Sequence, residues 1–263
     1  MSTLTSVTER VRSRRFPLVA VVTYSIALLA WVAIVGRVLP MPGSGASLQM
    51  TDPGAPEAMA LSNGPSGIAL YLVMWGVMMV AMMYPSSVPL FRLYANTLNG
   101  ASKATKLTRM SAFVGTYTLV WTLTGVVALA VNAVAPVHAI AAGHRSLLFG
   151  GTLLLLAGYQ LSPYKYRCLR YCRTPIGFLM EYHRPGFRGA VAASVRFSCF
   201  CVGCCWALFA VMVVVGSMNI LWMGAITLVL SVERLVTWGD RLASATGAAA
   251  GVAGGALVLL SVL

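Results

Sequence analysis

Apolar runs long enough to cross a lipid bilayer recur along the whole chain, and that recurrence leaves very few folds open. A hydrocarbon core about 30 Å thick needs about 20 apolar residues per helical crossing. Runs of this kind occupy 17–39, 67–91, 111–135, 146–162, 195–216, 219–236 and 243–263. Inside hydrocarbon every backbone N–H and C=O must be paired within the protein, which leaves helices or a closed barrel. The runs are continuously apolar and lack the two-residue alternation of barrel strands, so they are helices. The expectation is an all-α polytopic transmembrane bundle of about seven helices, forming a single integral membrane domain over 1–263. Charged residues make up 10% of the chain, against about 25% in soluble domains, too few to clothe a water-facing surface.

The net charge of +13 would suit a nucleic-acid partner, but its placement argues otherwise. Lys and Arg gather before the first run, between the second and third, between the fourth and fifth, and between the sixth and seventh, leaving only Arg37 and Arg145 for the opposite side. That alternation is the positive-inside pattern. It puts the N-terminus in the cytoplasm and the C-terminus outside. It makes 1–16 a basic cytoplasmic segment, 40–66 an extracytoplasmic loop and 162–194 a basic cytoplasmic loop. The first run is too long for a cleaved leader and has no A-x-A site after it, so it is expected to stay as a signal anchor. A bacterial cytoplasmic (inner) membrane suits such a chain. The bilayer is the expected partner, and nucleic acid is not.

The soft side chains are concentrated in two helices. Four of the six cysteines, Cys199, Cys201, Cys204 and Cys205, fall within seven residues of the fifth run. At about 100° per residue, Cys201, Cys204 and Cys205 share a face and Cys199 points elsewhere. Helix two carries Met74, Met78, Met79, Met82 and Met83. Met74, Met78 and Met82 form an i, i+4, i+8 row, and Met82 and Met83 match the depth of the cysteines. Thiolate and thioether donors together favour Cu(I). Both residue types also serve as apolar packing, which is the ordinary role of a methionine row. Cys168 and Cys172 repeat the i, i+4 spacing among Lys165, Arg167, Arg170 and Arg173, a cationic setting expected to favour thiolates just outside the membrane.

Weaker signals complete the reading. Glu233, at membrane depth beside Arg234, is expected to be a proton or cation site, one half of an intramembrane pair with an arginine, or a carboxylate snorkelling to the interface. Met41, Met50 and Met59, with His138 and His144, could capture metal on the outer side. Pro85 and Pro89 should kink or end helix two below its methionines. Gly247, Gly251 and Gly255 form a GxxxGxxxG ladder that permits close approach of another helix, in this chain, a second copy or a foreign subunit.

The string Met74-Trp75-Gly-Val-Met78-Met79-Val-Ala-Met82-Met83-Tyr-Pro85 resembles the second-helix signature of a bacterial family of predicted metal-binding integral membrane proteins. Tyr159-Gln-Leu-Ser-Pro163, Cys168-Leu-Arg-Tyr-Cys172-Arg-Thr-Pro175, Cys201-Val-Gly203-Cys204-Cys205-Trp206 and Met218-Asn219-Ile-Leu-Trp222-Met223 follow in the family's order. Glu233 and Arg234 close the pattern, with lysine the family's commoner residue at the second position. The resemblance covers roughly 65–245 and implies a metal-handling membrane protein.

Three functions compete. The leading one is a membrane-embedded Cu(I) carrier for transport, or for delivery to a membrane cuproenzyme, with Met74, Met78, Met82, Met83, Cys201, Cys204 and Cys205 as ligands and Cys168 and Cys172 as the cytoplasmic terminus. The second is a membrane thiol–disulfide oxidoreductase. Against it, cysteines one or four apart on one helix are poorly placed to form a disulfide. The third is a structural subunit docked through the glycine ladder. Phosphate loops, catalytic Ser/His/Asp sets and zinc-protease motifs are absent, so no catalytic residue is assigned.

Overall fold

A computed structural model describes residues 2–38 and 52–262, with side chains placed for 18–38 and 52–261. Among the described residues all regular structure is helical, in ten helices: α1 (Ser2–Val35), α2 (Ala55–Ser62), α3 (Gly64–Thr97), α4 (Lys103–Val134), α5 (Val137–Gln160), α6 (Pro163–Arg173), α7 (Pro175–Tyr182), α8 (Gly186–Val215), α9 (Ile220–Leu235) and α10 (Gly239–Val262). Within the described residues, each of the seven apolar runs is largely helical. Six of them (α1, α3, α4, α5, α8 and α10) are long and apolar enough to cross a membrane. The other, α9, has 16 residues. At 1.5 Å per residue it is about 24 Å long, short of a full hydrocarbon core. Gly216, at φ 114°, turns the chain out of α8, and the Asn219 side chain caps α9 by accepting from the Leu221 and Trp222 N–H groups.

Helix α3 does not end at its prolines; it runs through Pro85 and Pro89 to Thr97. The reason is visible one turn back. Pro85 has no N–H, so the Ala81 carbonyl loses its helical donor. Trp31 of α1 supplies a replacement, donating from Nε1 to the Ala81 oxygen at 3.1 Å. The same bond ties α1 to α3.

The helices pack in a chain of neighbours. α3 lies between α1 and α4, α4 between α3 and α8, and α5 between α8 and α10. α9 touches α3, α8 and α10 and closes the bundle. With little hydrophobic drive between helices in lipid, small residues and polar bonds set these contacts. On the α3–α4 seam, Trp75 Nε1 donates to Thr124 Oγ1 at 3.0 Å, and the Tyr84 and Thr118 hydroxyls pair at 2.7 Å. In α10, Gly247 and Gly251 face α5 of the same chain. A Cβ on Gly247 would lie 2.9 Å from Gln160 Cβ, and one on Gly251 3.4 Å from Ala157 Cβ. Gly254 extends this seam, facing the Gly150 carbonyl, while Gly255 meets nothing within 4 Å.

The two expected loops hold structure. In 40–66, Met41 and Met50 lie outside the described residues, whereas Met59 is buried in α2. The stretch 162–194 contains α6, α7 and the first turns of α8. α6 does not lie in solvent as a basic loop. It folds back against α8 with Lys165, Leu169 and Cys172 buried.

Candidate metal centre

Helix α8 carries Cys201, Cys204 and Cys205 on its buried face, and Cys199 is exposed. The Cys204 and Cys205 sulfurs lie 3.3 Å apart, and both thiols donate back to the Cys201 carbonyl, at 3.2 and 2.8 Å. The fold-back of α6 brings Cys172 Sγ to 3.7 Å from Cys204 Sγ. Cys168, one turn earlier on α6, stands over Gly203 so closely that a Cβ there would meet its sulfur at 2.8 Å. The Tyr159 hydroxyl donates to the Gly203 carbonyl on the same side. The cysteines expected to form separate membrane and cytoplasmic sites therefore converge in one place.

That convergence overturns the expected chemistry of the α6 thiols. Burial pushes the Cys168 thiol up from its ordinary value, outweighing nearby Lys165. Hydrogen bonding to Cys201 and Cys204, together with burial, pushes Cys172 up as well. Arg173 of α6 reaches the α9–α10 turn, pairing with Asp240 and donating to the Val236 and Thr237 carbonyls.

One cation does reach the sulfurs. Arg234 of α9, 4% exposed, donates from Nη2 to Cys205 Sγ at 2.6 Å and Cys204 Sγ at 3.3 Å, and from Nη1 to Ser86 Oγ of α3 at 3.0 Å. Cys201 Sγ lies 3.2 Å from the Tyr117 hydroxyl, which lies 2.8 Å from Ser87 Oγ. Four helices (α3, α4, α8 and α9) thus meet around the thiols, with α6 as the fifth wall.

Glu233 pairs with neither arginine nor cysteine. Its carboxylate accepts from Lys165 Nζ at 2.7 Å and from Gln160 Nε2 at 2.9 Å. This pair, 1% exposed on both sides, pins α6 to α9. Adjacent residues of α9 therefore divide the work: Glu233 fixes the helix that carries Cys172, and Arg234 meets the sulfurs. The turn behind them is tight. A Cβ on Gly239 would overlap the Glu233 backbone carbonyl. Gly239→Ala is expected to cost about 1–3 kcal/mol by forcing that backbone apart, readable as a lowered Tm in detergent.

The α3 methionines are all buried. α4 and α9 bridge α3 and α8. Met74 and Met78 line a small cavity with Met218 and Met223. Met82 lies between that cavity and Ser86 on the same i, i+4 row. Tyr71, one turn above Met74, donates to Glu57 of α2 at 2.8 Å. Glu57 is fully buried, and burial pushes its carboxyl up. His144 sits at a break in α5, with φ −135° and ψ 47°. Among the described residues, no three His, Cys, Asp or Glu side chains stand in an arrangement that would hold a metal ion by themselves. Cu(I) asks for less, since a pair of soft sulfurs satisfies it where harder ions require a larger oxygen or nitrogen shell.

Sequence reasoning missed Lys165 as the partner of Glu233, Arg234 as the partner of the thiols, Glu57, and the pairing of Met218 and Met223 with α3. The lone acidic residue in Ala-Pro-Glu57-Ala-Met59 was a signal for one of these, since a carboxylate among small apolar residues is costly unless held.

The profile of the PpoB2 copper chaperone family matches residues 72–257, which include all the cysteines and the α3 methionine rows. The chain belongs to the PpoB2 copper chaperone family. No curated protein and no solved structure matches it. Membership of this copper chaperone family gives the chain a copper context, and the six long apolar helices fit a multi-pass membrane protein.

Proposed function

We propose that the chain is a membrane-embedded Cu(I) carrier that holds its cargo at Cys172, Cys204 and Cys205, with Cys201 and Cys168 alongside, and delivers it to a membrane cuproenzyme or across a bacterial inner membrane. The observation that carries this reading is the fold-back of α6, which sets a thiol from a second helix 3.7 Å from Cys204 beside a buried guanidinium. Soft sulfur selects Cu(I). Burial keeps water and oxidant away, and Arg234 offsets part of the thiolate charge that burial would otherwise penalise. The chain shows no nucleotide-binding motif, so any cargo movement would be passive, ion-coupled or driven by a partner.

Elemental analysis of detergent-purified protein loaded anaerobically with Cu(I) tests the assignment. The wild type is expected to retain copper, and Cys172→Ser/Cys204→Ser to lose the thiolate-bound fraction. Unchanged copper in the double variant would sink the assignment.

The redox reading gains one observation. Cys172 and Cys204 stand on different helices, so the strain of an intrahelical disulfide does not apply to them. A thiol–disulfide enzyme must show a reversible two-thiol change between oxidised and reduced membranes, while a copper carrier keeps its thiol count.

A further inference from the structure

A second group of sulfurs stands apart from the thiols. Met74 and Met78 of α3, Met218 from the α8–α9 connection and Met223 of α9 line one cavity of about 10 Å³, together with Ala33, Ile34 and the exposed Arg37 at the end of α1. All four methionines are buried. The space is about that of a single water molecule, so it admits an ion and no larger ligand. It suits water poorly, because a held water needs two to four polar partners and these walls offer thioethers. Four thioether sulfurs from two separate stretches of chain are instead a soft donor set.

Two buried polar groups interact with each other, the Glu57 carboxyl group and the Ser217 hydroxyl. Ser217 precedes Met218 directly. Glu57 is held through Oε1 by Tyr71, one turn from Met74. Thioethers bring no charge, so a monovalent cation among them keeps its full charge in a medium of low dielectric. Glu57, tied to the same turn of α3, would offset it in its ionised form. Arg37 opposes it weakly, because its exposed head is screened by water and salt.

The cavity also connects to the thiols. Met78, Met82 and Ser86 follow one another at i, i+4 along α3, a span of about 12 Å. Ser86 accepts from Arg234, whose other nitrogen reaches Cys204 and Cys205.

We propose that Met74, Met78, Met218 and Met223 form an all-thioether Cu(I) site, through which copper passes between the thiol cluster and the end of the bundle marked by Arg37. This rests on the copper reading above, and it adds a second site with different donors. Met82, between the two, is the intermediate donor.

Selenomethionine-labelled protein loaded with Cu(I) and measured at the copper absorption edge separates the two sites. Wild type is expected to bind about two copper ions and to show copper–selenium as well as copper–sulfur scattering. Met218→Leu/Met223→Leu, which conserves volume, should lose the copper–selenium signal and about half the copper. Cys172→Ser/Cys204→Ser should keep copper–selenium scattering and lose the thiolate component. Absence of copper–selenium scattering in the wild type overturns the thioether site with no variant needed, and leaves the thiol reading standing. Survival of that signal in Met218→Leu/Met223→Leu likewise overturns the thioether site alone. Copper absent from every sample overturns both.

Discussion

Lys165→Met is expected to destabilise the folded protein by about 3–5 kcal/mol, because it leaves the Glu233 carboxylate buried without its counter-charge. Lys165 Nζ stands 2.7 Å from Glu233 Oε2, and both side chains are 1% exposed, so solvent screening does little to soften the loss. Gln160 remains as a donor to the other oxygen, but a neutral amide does not cancel a charge. The second arm of the test is Lys165→Met/Glu233→Gln, which removes both charges and should recover most of the lost stability. Thermal unfolding in one detergent, read as Tm, checks both arms. If the single variant is as stable as wild type, the pair does not anchor α6. The single variant should also bind copper more weakly, since α6 carries Cys172 to Cys204.

Arg234→Met is expected to weaken Cu(I) binding by about 2–5 kcal/mol, the usual cost of truncating one partner of a buried charged pair. At 1.4 kcal/mol per tenfold, this is roughly a 30- to 4,000-fold rise in Kd. The guanidinium is the cation that contacts Cys204 and Cys205, and through Nη1 it also ties them to Ser86 of α3. Methionine fills similar space and offers a soft sulfur. A modest loss would therefore mean that donor chemistry outweighs charge at this site. Arg234→Lys keeps the charge but gives up the planar fork that reaches sulfur and serine together, so it should fall between the two. Competition against a Cu(I) chelator of known affinity measures all three proteins.

The bundle was legible in the sequence because hydrophobic length is a local property, and a run such as 195–216 declares itself without reference to its neighbours. The shared face of Cys201, Cys204 and Cys205 was legible for the same reason, since helical periodicity alone fixes it. What the sequence hid was tertiary. Cys168 and Cys172 sit in a basic stretch that reads as a solvated loop, and distant partners, above all Glu233 for Lys165, 68 residues apart, draw that stretch inward. Pro85 reads as a break until Trp31 is seen to cover the Ala81 carbonyl. The glycine ladder was visible, but its partner α5 was not, because GxxxG states how closely a helix can approach and says nothing of which helix comes.

Arg234 also bears on which metals the proposed site would admit. Where the ion is held between the Cys172 and Cys204 thiolates and Cys205 stays a neutral thiol, these and one guanidinium sum to a single negative charge. A monovalent ion brings that sum to zero, whereas a divalent ion leaves an uncompensated positive charge in a dry interior, at a cost of several kcal/mol. At 1.4 kcal/mol per tenfold, this valence filter alone disfavours zinc against Cu(I) by roughly two orders of magnitude or more. It operates regardless of how softly the sulfurs bind. A thiol pair without the arginine would show the opposite preference, so the residue that holds the cluster together would also decide what it refuses.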